Sequence, residues 1–68
     1  KLQQWLNLTQ REAEVLLWVS YGKASSDISE VLNISPRTVQ KHLERIFDKL
    51  GVETRAAAAA IAIKMIGQ

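Results

Sequence analysis

Residues 35–51 place the tightest constraint on the fold. Ser35 stands where a helix N-cap belongs, with a hydroxyl that can accept from an amide of the first turn. Pro36 follows at the first helical position, where its missing N–H costs nothing. Val39, Leu43, Ile46 and Leu50 then recur at three- and four-residue intervals as one apolar stripe, flanked by His42 and Phe47. Ile34 before the cap and Val39 after it form a hydrophobic staple that fixes how the chain enters the helix. Gly51 ends the helix, and Val52 can fold back onto Phe47 in a Schellman-type contact. A helix of this length with a single apolar face is marginal alone, so the stripe must be buried against other elements.

The remaining segments predict helices as well. Thr9-Gln10-Arg11-Glu12 is a capping box: the Thr9 hydroxyl accepts from the Glu12 amide while the Glu12 carboxylate reaches back to the Thr9 amide. The helix behind it places Ala13, Leu16, Leu17 and Ser20 toward the core and stops at Gly22, a position suited to positive φ. Ser25 and Ser26 are N-cap candidates for a short second helix through Leu32, with Ile28, Val31 and Leu32 as its apolar positions. Asp27 lies in its first turn, where the macrodipole favours negative charge, and Asn33 provides a left-handed exit. A fourth helix starts at Thr54, runs to about Ile66 and is followed by Gly67, with the helix-forming run Ala56 to Ala60 inside it. No strand signal or internal repeat is present. The expected fold is all-α, a compact four-helix domain over residues 9–66. Residues 1–8 read as a linker end, with Trp5 and Leu6 docked against the domain.

Composition narrows the function classes. At 68 residues the chain is one domain, read as an excised piece of a longer protein. It has no cysteine, so neither a disulfide framework nor a thiolate metal site is available, and no cofactor or metal is expected. No acids are paired for acid–base work and no nucleophile has a histidine at a supportive spacing, so an enzyme is not expected. No apolar run is long enough to span a bilayer, and no membrane partner is expected. His42 reads as a packed or hydrogen-bonded structural residue. Trp18 reads as core, Trp5 as a linker-docking residue, and Asp27, Glu30 and Glu53 as solvated or capping.

Nine Lys+Arg against seven Asp+Glu give a net charge of +2, which alone says little about nucleic acid. The placement of the cations says more. Helix two, a tight turn and helix three make a helix-turn-helix, a geometry in which the second helix lies in the major groove. On a wheel at about 100° per residue, Arg37, Lys41, Arg45 and Lys49 drift along a face away from the core stripe, with Gln40 and Glu44 beside them. Lys can donate to guanine O6/N7, Gln can pair with adenine N6/N7, and Glu can accept from cytosine N4. Arg37 and Lys49 fit phosphate contacts at the edges of that face. The competing readings are a solvated helix face, a surface pair between Glu44 and Lys41, or a protein-interaction module of the same fold.

At the level of blocks the chain resembles a known family. Leu8 to Leu16 (LTQREAEVL), Gly22-Lys23, Asp27-Ile28-Ser29, Ile34 to Val39 (ISPRTV) and Lys49 to Val52 (KLGV) are similar to the LuxR-type, or GerE and FixJ/NarL-type, DNA-binding domain of bacterial transcription regulators. The resemblance covers about Leu8 to Ala62. It implies a four-helix domain at the C-terminus of a regulator, bound to DNA as a symmetric dimer through helix four. It implies base contacts from Gln40, Lys41 and Glu44, with Arg45 nearby, and backbone contacts from Ser26, Thr38 and Arg55. Ser26, Thr38 and Arg55 all lie at helix starts, where free amides and the macrodipole favour phosphate. The partners so implied are double-stranded DNA, a second copy of the chain and RNA polymerase, in the bacterial cytoplasm with the nucleoid.

Helix four fits such a dimer. With Ala58 at zero, Ile61, Ala62 and Met65 fall within about 60° and serve the core, while Ile63 lands about 140° away, Ala60 about 160° away on the other side, and Ala56 between them. Ala56, Ala60 and Ile63 therefore form the expected dimer surface. Alternatively, the alanines merely favour helix and Ile63 is a single exposed apolar residue.

Overall fold

The computed structural model describes residues 7–67, and among them lie four helices and no strand: α1 (Gln10–Ser20), α2 (Ser25–Leu32), α3 (Pro36–Leu50) and α4 (Arg55–Ile66). The expected docking of Trp5 and Leu6 falls outside the described residues. Leu8, which the sequence assigns to the linker, is a member of the core.

Local chemistry sets three of the four helix starts as expected. Thr9 Oγ1 accepts from the Glu12 amide at 3.1 Å and a Glu12 carboxylate oxygen accepts from the Thr9 amide at 3.0 Å, which completes the capping box. Ser35 Oγ accepts from the Thr38 amide at 3.1 Å with Pro36 at the first helical position. Thr54 Oγ1 accepts from the Ala57 amide at 3.1 Å. The exits also match. Asn33 takes the left-handed conformation at φ 56°, and Gly51 does so at φ 69°. Past Gly51 the Val52 amide donates to the Phe47 carbonyl at 3.0 Å, and Val52 packs against the core.

α1 packs on α3 and α4, while α2 leans chiefly on α3. The core is Leu8, Val15, Leu16, Val19, Ile28, Val39, Leu43, Ile46, Ala58 and Ala62. Leu50, Phe47 and Ile34 pack at its margin, so the α3 stripe and its staple lie where the periodicity puts them. On α4, Ala58 and Ala62 are buried and Met65 packs beside them, while Ala56, Ala60 and Ile63 are exposed.

Two faces differ from expectation. α1 buries Glu12, Val15, Leu16 and Val19 in place of Ala13, Leu16, Leu17 and Ser20. Both sets have helical spacing and share Leu16. The two valines bury more apolar surface than Ala13 and Ser20 offer, while Ala13 and Leu17 pack at the flank. On α2, Val31 is exposed, and the inward side is Ile28, Ser29 and the half-buried Leu32. Ser29 tolerates burial because its hydroxyl donates to the Ser26 carbonyl at 2.7 Å. The N-cap of α2 is Ala24, not Ser25 or Ser26, and no side chain caps it.

Candidate nucleic-acid interface

α3 divides into two faces. Val39, Leu43 and Ile46 are buried, while Arg37, Gln40, Lys41, Glu44 and Arg45 are exposed on the opposite side. The inward stripe fixes the rotation of the helix, and that rotation turns the amide, the cations and the carboxylate outward together. Among the described residues, none of these five side chains makes a hydrogen bond or ion pair with the rest of the domain. Glu44 in particular does not pair with Lys41, so its carboxylate is open to an outside donor.

The expected phosphate positions fall into two groups. Ser26 is exposed in the first turn of α2, and its side chain is not drawn inward. Thr38 is half-buried in the first turn of α3, its hydroxyl 2.9 Å from that of Ser35. Arg37 is exposed beside it. Lys49 and Arg55, by contrast, are engaged within the domain. Lys49 Nζ donates to a Glu12 carboxylate oxygen at 2.7 Å. Arg55 donates from Nη1 to Ser25 Oγ and from Nη2 to the Lys23 carbonyl, each at 2.8 Å.

The Glu12–Lys49 pair is the functional detail that the sequence hides. Glu12 is 1% exposed and is held by the Thr9 amide and by Lys49, 37 positions away. Burial pushes its carboxyl up, but hydrogen bonds from Lys49 and Thr9, with the Lys49 charge, outweigh that and hold it below the ordinary glutamate value. The pair ties the start of α1 to the last turn of α3 and so braces the exposed helix at the end remote from Ser35. A signal does exist in the chain, since Glu12, Val15, Leu16 and Val19 share one helical stripe. Nothing local identifies the cation that meets it.

His42 is half-buried, and its Nδ1 is buried without a hydrogen-bond partner. Trp18 packs against the core and meets Tyr21 edge to face, with ring centroids 5.9 Å apart at 83°. Among the described residues, no group of His, Asp or Glu is arranged to hold a metal ion, and no helix is long and apolar enough to cross a membrane.

Comparison with known proteins agrees with this geometry. The family model described as bacterial regulatory proteins, luxR family, matches residues 6–62. The transcriptional activator protein BjaR1 of Bradyrhizobium diazoefficiens is 46% identical over 57 residues, which are 84% of this chain and 24% of that protein. A probable transcriptional regulatory protein NarL of Mycobacterium tuberculosis is 42% identical over 57 residues, again 84% of this chain and 26% of the relative. The chain thus spans about a quarter of the length of these relatives. Among solved structures, a phage VqmA–DPO complex superposes with a TM-score of 0.82 at 35% identity, covering 93% of this chain and 29% of that one. With its four helices, its helix-turn-helix and these relatives, the chain belongs to the LuxR family of bacterial regulatory proteins, as a DNA-binding domain of transcription regulators.

Proposed function

We propose that this domain recognises a specific DNA sequence by laying α3 in the major groove, and that it does so as a symmetric dimer on a pseudo-palindromic operator. The observation that carries this reading is the outward face of α3, where Gln40, Lys41, Glu44 and Arg45 are exposed and unengaged. Lys41 and Arg45 suit guanine, Gln40 suits adenine, and Glu44 suits the amino group of cytosine. Ser26, Arg37 and Thr38 stand at the starts of α2 and α3, where phosphate oxygens meet free amides and the positive ends of helix dipoles. Lys49 and Arg55, the other two expected phosphate positions, have part of their donors engaged within the domain. Two relatives are named as transcriptional activator proteins, and we infer for this domain action beside RNA polymerase, as part of a longer cytoplasmic regulator associated with the nucleoid.

Titration of the chain against duplex DNA across a salt series tests the reading. If about four phosphates are neutralised, counterion release is expected to weaken binding roughly a hundredfold between 50 and 200 mM salt. A flat response, or no binding at low salt, rejects it. Within the bound complex, Lys41→Ala and Gln40→Ala are expected to relax preference at individual base pairs, each at a cost of about 1–3 kcal/mol. Selection from randomised sites reads this directly, and unchanged base preference in both variants would move the reading face elsewhere.

The dimer rests on α4, where Ile63 is 56% exposed beside Ala56 and Ala60. A large aliphatic side chain flanked by small residues permits close approach of a second copy about a two-fold axis. Such a dimer sets two copies of α3 in major grooves about one turn apart, with half-sites about 10 bp centre to centre. Ala60→Glu is expected to leave helicity and half-site binding intact while removing cooperative occupancy of the full palindrome. Cooperative binding equal to that of the parent chain excludes α4 as the dimer surface.

A further inference from the structure

We propose that Arg55 is a positioning residue for DNA binding: it clamps the start of α2 to the start of α4 and acts on affinity through α2, without touching phosphate. The proposal rests on the DNA-binding reading above and changes one residue role within it.

The guanidinium bridges two elements that otherwise meet little. Nη1 reaches Ser25 Oγ and Nη2 reaches the Lys23 carbonyl, both at 2.8 Å, so one planar group holds two acceptors of the turn that leads into α2. The cleft between this turn and α4 is lined by Gly22, Lys23, Ser25 and Arg55 together with Val19, Ala24, Ala56 and Ala59, and on the α4 side Arg55 is the residue with a polar side chain. α2 itself packs chiefly on α3, so the position of its first turn relative to α1 and α4 depends on few other contacts.

Among the described residues, the start of α2 is also the one helix start without a side-chain cap. Ala24 has no acceptor to offer, and Ser25, the first helical residue, has its hydroxyl oxygen occupied by Arg55. The first amides of α2 are therefore left without a side-chain partner beside the exposed Ser26. Hydrogen bonds from such amides to phosphate hold only over a narrow range of distance and angle, so a shift of this turn weakens them steeply. Arg55 is half-buried with two of its donors engaged by the turn before α2, whereas Arg37, Lys41 and Arg45 are exposed and unengaged. A lysine cannot replace it as a clamp, because a single ammonium does not reproduce the fork of a guanidinium across two acceptors.

Salt dependence separates a clamp from a contact. The chain and its variants are titrated against one mixed-sequence duplex over a salt series, at a temperature where circular dichroism shows each fully folded. The clamp predicts that Arg55→Ala binds about fivefold more weakly at every salt concentration with an unchanged slope, and that Arg55→Lys stays as weak. Ser25→Ala, which alters no charge, reproduces part of the loss, and the double variant is no weaker than Arg55→Ala. A phosphate contact instead lowers the slope by about 0.9, is restored by Arg55→Lys and leaves Ser25→Ala silent; that pattern, or full affinity in Arg55→Ala, overturns the clamp alone. If the parent chain does not bind at low salt, the DNA reading fails first and the clamp with it.

Discussion

Replacing Leu43 with aspartate is expected to unfold the domain outright. Leu43 is 2% exposed in the middle of the α3 stripe, between Val39 and Ile46, which are fully buried. Removing a buried leucine side chain costs about 2–5 kcal/mol in comparable cores. The aspartate adds the desolvation of a charge that has no partner in an apolar site. A chain of this size has a total stability of roughly 3–10 kcal/mol, so the combined loss exceeds or matches all of it. Circular dichroism should show the loss of helical signal at neutral pH together with the loss of any cooperative melt. A variant that keeps parental helicity and melting temperature means that Leu43 is not a core residue.

The second large effect concerns the ion pair that braces α3. Lys49→Met keeps the aliphatic stem but removes the ammonium that faces Glu12, leaving a buried carboxylate with the Thr9 amide as its remaining donor. Breaking a fully buried pair costs about 3–5 kcal/mol, and the Lys49 side chain is partly exposed, so about 2 kcal/mol is expected here. The pH dependence follows from the lowered carboxyl. A group held below its unfolded value contributes stability that is complete above the ordinary glutamate range and is lost as pH falls through the native value. The parent chain should therefore weaken toward acid as Glu12 takes up its proton. The variant should differ most from the parent at neutral pH and least at the acid end, where Glu12 is protonated in both. Melting temperatures across a pH series check this, and a deficit that is equal at every pH assigns the effect to packing alone.

How far the fold could be read from the chain depended on how local each signal was. α3 is specified by residues within one or two turns of one another: Ser35 and Pro36 at its start, the stripe through its length, Gly51 and Val52 at its exit. These agree in sequence and structure. α2 shows the opposite case. Ser25 and Ser26 look like caps by residue type, yet the Ser25 hydroxyl serves Arg55, 30 positions away, and the helix begins after Ala24. The α1 face was ambiguous because Leu16 belongs to two candidate stripes, and the choice between them depends on α3 and α4. At the candidate interface the same division holds. Periodicity is enough to expose Gln40, Lys41, Glu44 and Arg45, but it cannot show that Lys49 is bound to Glu12 or that Arg55 is bound to the turn before α2.

Among the described residues, the outward side chains of α3 make no hydrogen bond or ion pair with their own domain, and this separates two properties that proteins often entangle. Exchanging Gln40, Lys41, Glu44 or Arg45 for any residue but glycine or proline breaks no internal hydrogen bond, so each such exchange is expected to alter folding free energy by no more than about 0.5 kcal/mol. If these residues read the operator as proposed, recognition can drift from one operator to another at nearly constant stability, and the four positions can be randomised together, glycine and proline aside, on a scaffold that stays folded. The braces that hold the helix, Glu12 with Lys49 at one end and Ser35 with Thr38 at the other, lie outside the set of residues that such drift would change. On that reading the address can be rewritten while the envelope is left alone.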